Sequence, residues 1–137
     1  MIENVSPLER LENMGFKQVG MWSIDSNKIQ FTLHDAASAQ NVLYAFVSHD
    51  SVMYIGKTIR TLKQRMGGYK NPAETQTTNI KGNKLISEIL SLNQSVAIYA
   101  LPDNGLLFYG GFHVNLAAGL EDNLIKKLNP PWNGAGL

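Results

Sequence analysis

Glu121 stands where a carboxylate is costly. Wound at about 100° per residue, Ala117, Glu121, Leu124, Ile125 and Leu128 form one helical stripe, while Asp122, Asn123, Lys126 and Lys127 share the opposite side. A carboxylate on such a core-facing stripe costs several kcal/mol unless a cation or hydrogen bonds satisfy it. Two readings follow: a structural ion pair with an arginine, or a carboxylate in a cleft that binds a metal or takes part in catalysis. Arg65 poses the matching question, because it shares a helical face with Leu62 and Met66. Either its stem snorkels along apolar surface, or its guanidinium grips a phosphate through two parallel hydrogen bonds. Tyr69, four residues on, lies on that face if the helix survives Gly67-Gly68; otherwise it is a packing residue.

Other chemistries are excluded. Ser48-His49-Asp50 has the letters of a hydrolytic triad, but adjacent residues cannot place nucleophile, base and orienter in line. His34, His49 and His113 lack a short metal-ligand spacing, there is no cysteine to complete a zinc site, and Gly110-Gly111 lies in no phosphate-loop pattern. The 137 residues predict one domain; 44% hydrophobic content excludes a disordered chain, and the absence of cysteine excludes a disulfide scaffold. No apolar run is long enough for a transmembrane helix, and residues 1–4 lack the basic start of a signal peptide, so a soluble, cytoplasmic protein without membrane contact is expected.

The net charge of +1 conceals a strongly uneven distribution. Residues 57–84 carry Lys57, Arg60, Lys63, Arg65, Lys70, Lys81 and Lys84 against the single acid Glu74, whereas both flanking segments are net acidic. Such a block is either a solvated face or a surface for a polyanion, above all a nucleic-acid backbone.

The elements that position these residues can be read locally. Ser6-Pro7-Leu8-Glu9 opens a short helix that Gly15 closes, and residues 22–33 alternate as a half-buried hairpin about Asp25-Ser26-Asn27-Lys28. Residues 42–47 are apolar at every position, as in a strand covered on both faces. A second strand, residues 52–55, ends at Gly56, and Thr61-Leu62-Lys63-Gln64 is a capping box for a helix that Gly67-Gly68 should fray or bend. A polar loop over residues 71–79, a helix near 80–92, a strand near 96–101 and a helix near 114–128 complete the reading. A four-residue loop between the two central strands would put Tyr44 and Tyr54 on opposite faces, so a shared site requires an odd loop or a bulge.

Taken in order, Val42-Leu43-Tyr44, the triplet Tyr54-Ile55-Gly56, Lys57-Thr58, Leu62, Arg65 and Tyr69, then Leu120-Glu121 and Pro130-Pro131-Trp132-Asn133, resemble the GIY-YIG nuclease family over residues 41–134. The first tripeptide is Val-Leu-Tyr rather than Gly-Ile-Tyr, and the first 40 residues lie beyond the family's minimal domain. The resemblance implies an α+β fold: a three-stranded, mainly antiparallel sheet with flanking helices over residues 41–137, preceded by a helix-hairpin extension over residues 1–40. It implies hydrolysis of a nucleic-acid phosphodiester by water with one divalent cation. On that resemblance Tyr54 is the general base or orients the water beside Tyr44, Arg65 binds the scissile phosphate, Tyr69 assists, Glu121 holds the metal and Asn133 supports the site. Magnesium, or manganese in its place, keeps most of its waters, so one ion per site on a lone Glu121 suffices. Tyrosine is a poor base at a pKa near 10, and Lys57, three residues past Tyr54, is the expected cation to ease its ionisation.

The basic block then acquires a use. Lys63, Lys70, Lys81 and Lys84 are expected to neutralise phosphates flanking the cut, and Arg60, Gln76 and Asn79 to reach base edges. The function expected is a metal-dependent endonuclease of double-stranded DNA, of restriction or defence type. Cutting both strands with one site per chain requires two copies or two encounters, which makes a homodimer an expectation. The rival readings are a non-catalytic nucleic-acid-binding module on the same fold, and a structural domain in which Glu121 pairs with Arg65.

Overall fold

A computed structural model describes residues 5–134; the segment read for a signal peptide, residues 1–4, lies outside them. The first helix, α1 (Pro7–Met14), starts at Ser6, whose side chain accepts from the Glu9 N–H, and ends at Gly15 with φ 118°. Strands β1 (Lys17–Asp25) and β2 (Lys28–Leu33) form the expected hairpin, turning through Ser26 and Asn27 at positive φ. Next come β3 (Val42–Ser48), β4 (Ser51–Thr58), α2 (Leu62–Lys70), α3 (Thr77–Ser91) and β5 (Val96–Pro102). A small hairpin, β6 (Phe108–Tyr109) with β7 (Phe112–His113), leads into α4 (Leu116–Leu128) and a 3-10 turn, Pro131–Asn133.

The fold is α+β, an antiparallel sheet flanked by helices. The three expected strands are β3, β4 and β5, but the sheet has five, in the order β2-β1-β5-β3-β4, because β1 hydrogen-bonds to β5. The helix-hairpin extension therefore continues the same sheet. The interior strand β3 is buried along its whole length, since Val42, Tyr44 and Phe46 enter one core while Leu43, Ala45 and Val47 enter the other. The first core holds Leu62, Met66 and Tyr69 of α2 and Ile86 of α3; the second holds Leu8 and Leu11 of α1 and Ala117 of α4. Leu124, Ile125 and Leu128, the apolar stripe of α4, pack on the second core.

Three local expectations are corrected. Strand β4 runs past Gly56 to Thr58, since the chain keeps pairing with β3 as far as Val42. Helix α2 continues through Gly67 and Gly68 to Lys70, held at its start by the Thr61–Gln64 capping box and on one side by buried Leu62, Met66 and Tyr69. Helix α3 begins at Thr77, so the last three residues of the expected polar loop are helical. No helix among the described residues is long and apolar enough to cross a membrane.

Candidate active site

The two tyrosines share a face because β4 carries a bulge. Ser48 pairs with Ser51 and Val47 with Val52, through a two-residue turn of His49 and Asp50 at φ 50° and 61°. Phe46 then pairs with Tyr54, which leaves Met53 as the extra residue. The unbulged register would set Tyr54 opposite Ala45 and turn it toward the second core. With the bulge, Tyr44, Phe46, Tyr54 and Gly56 all face α2 and α3. Gly56 lies directly across from Tyr44, and a Cβ there would stand 2.5 Å from the Tyr44 hydroxyl, so glycine is what allows the ring to lie flat over β4.

On this face the aromatic rings are packed together. Phe46 and Tyr54 stack with centroids 5.7 Å apart, and Tyr44 and Tyr69 meet edge-on at 6.2 Å. The Tyr44 and Tyr69 hydroxyls are 2.6 Å apart. Arg65 reaches over this pair: one guanidinium nitrogen donates to the Tyr69 hydroxyl at 2.9 Å, and the other donates to Asn79 Oδ1 at 2.6 Å. Its guanidinium carbon sits 4.2 Å from the centroid of the Tyr69 ring, a cation–π contact. Helix α3 admits the Tyr69 ring only at Gly82, where a Cβ would be 2.6 Å from the ring edge.

Burial sets the phenols apart. Tyr44 and Tyr69 are 0% and 1% exposed, and burial pushes both hydroxyls well above the usual phenol range, so they stay neutral at physiological pH. Tyr54 is half-buried and lines a cavity of about 240 Å³ with Phe46, Thr77, Lys81, Trp132 and Asn133. Asn133 closes the outer edge of β4, accepting from the Ile55 N–H and donating to the Ile55 carbonyl, each at 2.9 Å.

Glu121 and Lys57 lie across the rim of the sheet. Strand alternation sends Tyr54 toward the cavity and Ile55 and Lys57 toward α4, where the Lys57 ammonium is 3.7 Å from Glu121 Oε1. Lys57 therefore does not stand beside the Tyr54 ring as expected: three residues along a strand reverse the face. Burial raises the Glu121 carboxyl above its ordinary pKa, with Lys57 opposing the shift. The expected alternative partner, Arg65, is engaged by Asn79 and Tyr69 instead.

Of the basic residues, Lys81 alone lines the cavity. Lys63 and Lys70 lie on α2, Lys81 and Lys84 on α3, and Arg60 in the segment leading into α2; all but the half-buried Lys70 are exposed. Gln76 is exposed, immediately before α3. Asn79 is a correction. It is 7% exposed, one turn into α3, and its amide is spent on Arg65 and Gln76, so it cannot reach base edges from a polar loop. Sequence reasoning also missed Phe46 and Trp132 as cavity walls. Phe46 carried a signal, two residues after Tyr44 on the same strand face.

No protein-family model matches the chain. Endonuclease II of Enterobacteria phage T4 is 33% identical to it over 98 residues, which cover 68% of this chain and 71% of the phage protein. Among solved structures, a mutant of bacteriophage T4 EndoII superposes with a TM-score of 0.72 at 24% identity, covering 92% of this chain and 97% of the other. That coverage exceeds what residues 41–134 could supply, so the shared fold takes in part of the N-terminal extension. The restriction endonuclease HPY188I in complex with product DNA superposes with a TM-score of 0.51 at 17% identity, covering 91% and 88% of the two chains. At these identities the solved structures show a common fold.

The chain is thus an endonuclease, a hydrolase of phosphodiester bonds. It belongs to the family of phage T4 endonuclease II.

Proposed function

We propose that this endonuclease cuts double-stranded DNA in the cytoplasm by a GIY-YIG mechanism that uses one divalent metal ion, in a restriction or defence role. The observation that carries the reading is Arg65, fixed between Asn79 and Tyr69 beside the half-exposed Tyr54. Half-buried against neutral phenols, the guanidinium pairs with no carboxylate among the described residues, and a phosphate supplies the missing charge. HPY188I, which shares the fold, was solved with product DNA, and the exposed lysines of α2 and α3 offer positive charge for a phosphate backbone.

We assign the general-base role to Tyr54, whose phenolate would take the proton of the attacking water, because of the three phenols Tyr44 and Tyr69 are fully buried while Tyr54 at the cavity wall is only half-buried. The water oxygen bonds to phosphorus as the bond to the departing ester oxygen breaks, and Arg65 carries the charge that builds on the non-bridging oxygens. Tyr44 and Tyr69, shut away from solvent, act by holding Arg65. Asn133 fixes the backbone of β4 one residue beyond Tyr54.

Glu121 fits a metal ligand. It is a partly desolvated hard-oxygen donor whose carboxylate gains from a nearby cation, and no cluster of three or more ligating side chains exists among the described residues, as suits a hydrated ion. Bound there, Mg²⁺ or Mn²⁺, one per site, would supply charge neutralisation for the departing oxygen. A substrate laid over the rim of β4 meets Tyr54 on one side and Glu121 on the other. Two such sites in a homodimer would cut both strands in one encounter.

The test is incubation of supercoiled plasmid with the protein and magnesium or manganese, beside Arg65→Ala and Glu121→Ala. Metal-dependent nicking lost in both variants is expected. Full nicking by either variant refutes the role assigned to it, and binding without cleavage by the wild type identifies a non-catalytic nucleic-acid-binding module.

A further inference from the structure

We propose that Asn79 is a positioning residue for Arg65, and that its being an uncharged amide is what keeps Arg65 able to hold a phosphate. The proposal rests on the reading of Arg65 as the phosphate ligand.

An arginine carries a long, freely rotating stem, and a site that uses one must stop the guanidinium from wandering. Here the stem leaves α2 beside Gly68, where even a Cβ would lie 3.2 Å from the Asn79 amide nitrogen and 3.4 Å from the guanidinium. The glycine thus leaves room for the two groups to meet. Asn79 Oδ1 accepts from one terminal nitrogen at 2.6 Å, and the Tyr69 hydroxyl accepts from the other at 2.9 Å. Of the five N–H donors on a guanidinium these contacts use two, so three remain to meet phosphate oxygens.

The amide's own orientation is specified. Asn79 Nδ2 donates to Gln76 Oε1 at 2.9 Å, and the same oxygen accepts from the Ala73 N–H at 3.3 Å. A reversed amide would set donor against donor at Arg65 and acceptor against acceptor at Gln76. The relay Gln76–Asn79–Arg65 therefore has one sense, running from the surface to the guanidinium. An aspartate would keep the oxygen to which Arg65 donates, at the loss of the contact with Gln76, but it would neutralise the charge that the phosphate needs.

The test is single-turnover plasmid cleavage by the full chain with magnesium. Asn79→Ala should slow cleavage tenfold or more, on the scale that small misplacements of a catalytic group cost, with little change in the protein concentration that half-saturates the DNA. Added to Arg65→Ala, the same substitution should slow the residual single-turnover cleavage, followed at high protein excess over long incubation, no further. An unchanged rate for Asn79→Ala, or an equal fold-loss in both backgrounds, overturns the proposal, the latter by marking a merely structural role. Asn79→Asp, nearly isosteric, should keep the thermal midpoint within a few degrees and yet cleave at least tenfold more slowly; a wild-type rate overturns the proposal without recourse to the double variant. A fully active Arg65→Ala removes the phosphate-ligand reading and this proposal with it, whereas an inactive Arg65→Ala beside a fully active Asn79→Ala removes this proposal alone.

Discussion

Two glycines in helices of this protein should respond to alanine with opposite signs. Gly67 on α2 has no atom within 4 Å of the position its Cβ would take, whereas at Gly82 on α3 that atom would lie 2.6 Å from Tyr69 Cδ1 and 2.7 Å from Cε1. Alanine gains about 1 kcal/mol over glycine in a helix interior, so Gly67→Ala should stabilise the fold by roughly that amount. Gly82→Ala gains the same propensity but forces the Tyr69 ring, 1% exposed, into space already filled by Phe46 and Tyr44. Overpacking of this kind costs about 1–3 kcal/mol. A displaced Tyr69 also forfeits its hydrogen bond to Tyr44, worth about 1 kcal/mol, which cancels the propensity gain and leaves a net loss of about 1–3 kcal/mol. Urea unfolding reads both values directly, and plasmid nicking reads the second consequence, because a shifted Tyr69 releases one of the two anchors on Arg65. Equal stabilisation of the two variants with full cleavage would refute the account of Tyr69 as a wedge between α3 and Arg65.

Glu121→Gln should abolish metal-dependent cleavage while leaving the fold as stable as the wild type near neutral pH, or more so. The folded carboxyl is raised above its ordinary value, chiefly by burial, so the folded state holds its proton more tightly than the unfolded chain and stability falls as pH rises through the folded pKa. The variant should lack that decline when thermal midpoints are compared from pH 4 to pH 7; a parallel decline would show that Glu121 is not desolvated. Asn133→Ala removes two hydrogen bonds that satisfy the Ile55 backbone on the outer edge of β4, and should cost about 1–3 kcal/mol in urea unfolding. A loss under about 0.5 kcal/mol would mean that water replaces the amide without penalty.

How much of this the sequence made legible depends on the range over which each feature is decided. The caps of α1 and α2 and the apolar run of β3 are settled within a few residues, and all three occur as expected. The start of α3 was not legible, because Gln76 makes no side-chain cap to the helix and left no local start signal. Continuation of α2 through Gly67-Gly68 depends on Tyr69 burying itself between α3 and the sheet, a tertiary contact that outweighs propensity. The pairing of β1 with β5 joins segments far apart in sequence, so the N-terminal hairpin reads as an appendage although β1 and β2 complete the sheet. Within the site, Tyr44, Tyr54, Arg65 and Tyr69 come together on one face, but the rotation of Lys57 away from Tyr54 and the burial of Asn79 arise from register and packing that spacing does not encode.

Met53 gives the hairpin a rule of parity. Tyr44 and Tyr54 are an even number of residues apart across a two-residue turn, and such a spacing is tolerated only while one residue of β4 goes unpaired. A chain one residue shorter between turn and tyrosine would need no bulge, since Val52 and Tyr54 would then oppose Val47 and Phe46 as neighbours. A chain one residue longer without the bulge would likewise return Tyr54 to the cavity side. Evolution can therefore vary the length of this hairpin in single steps only by trading a bulge for a regular ladder. In related nucleases, odd spacings of the two tyrosines across a two-residue turn should accompany straight strands, and even spacings kinked ones.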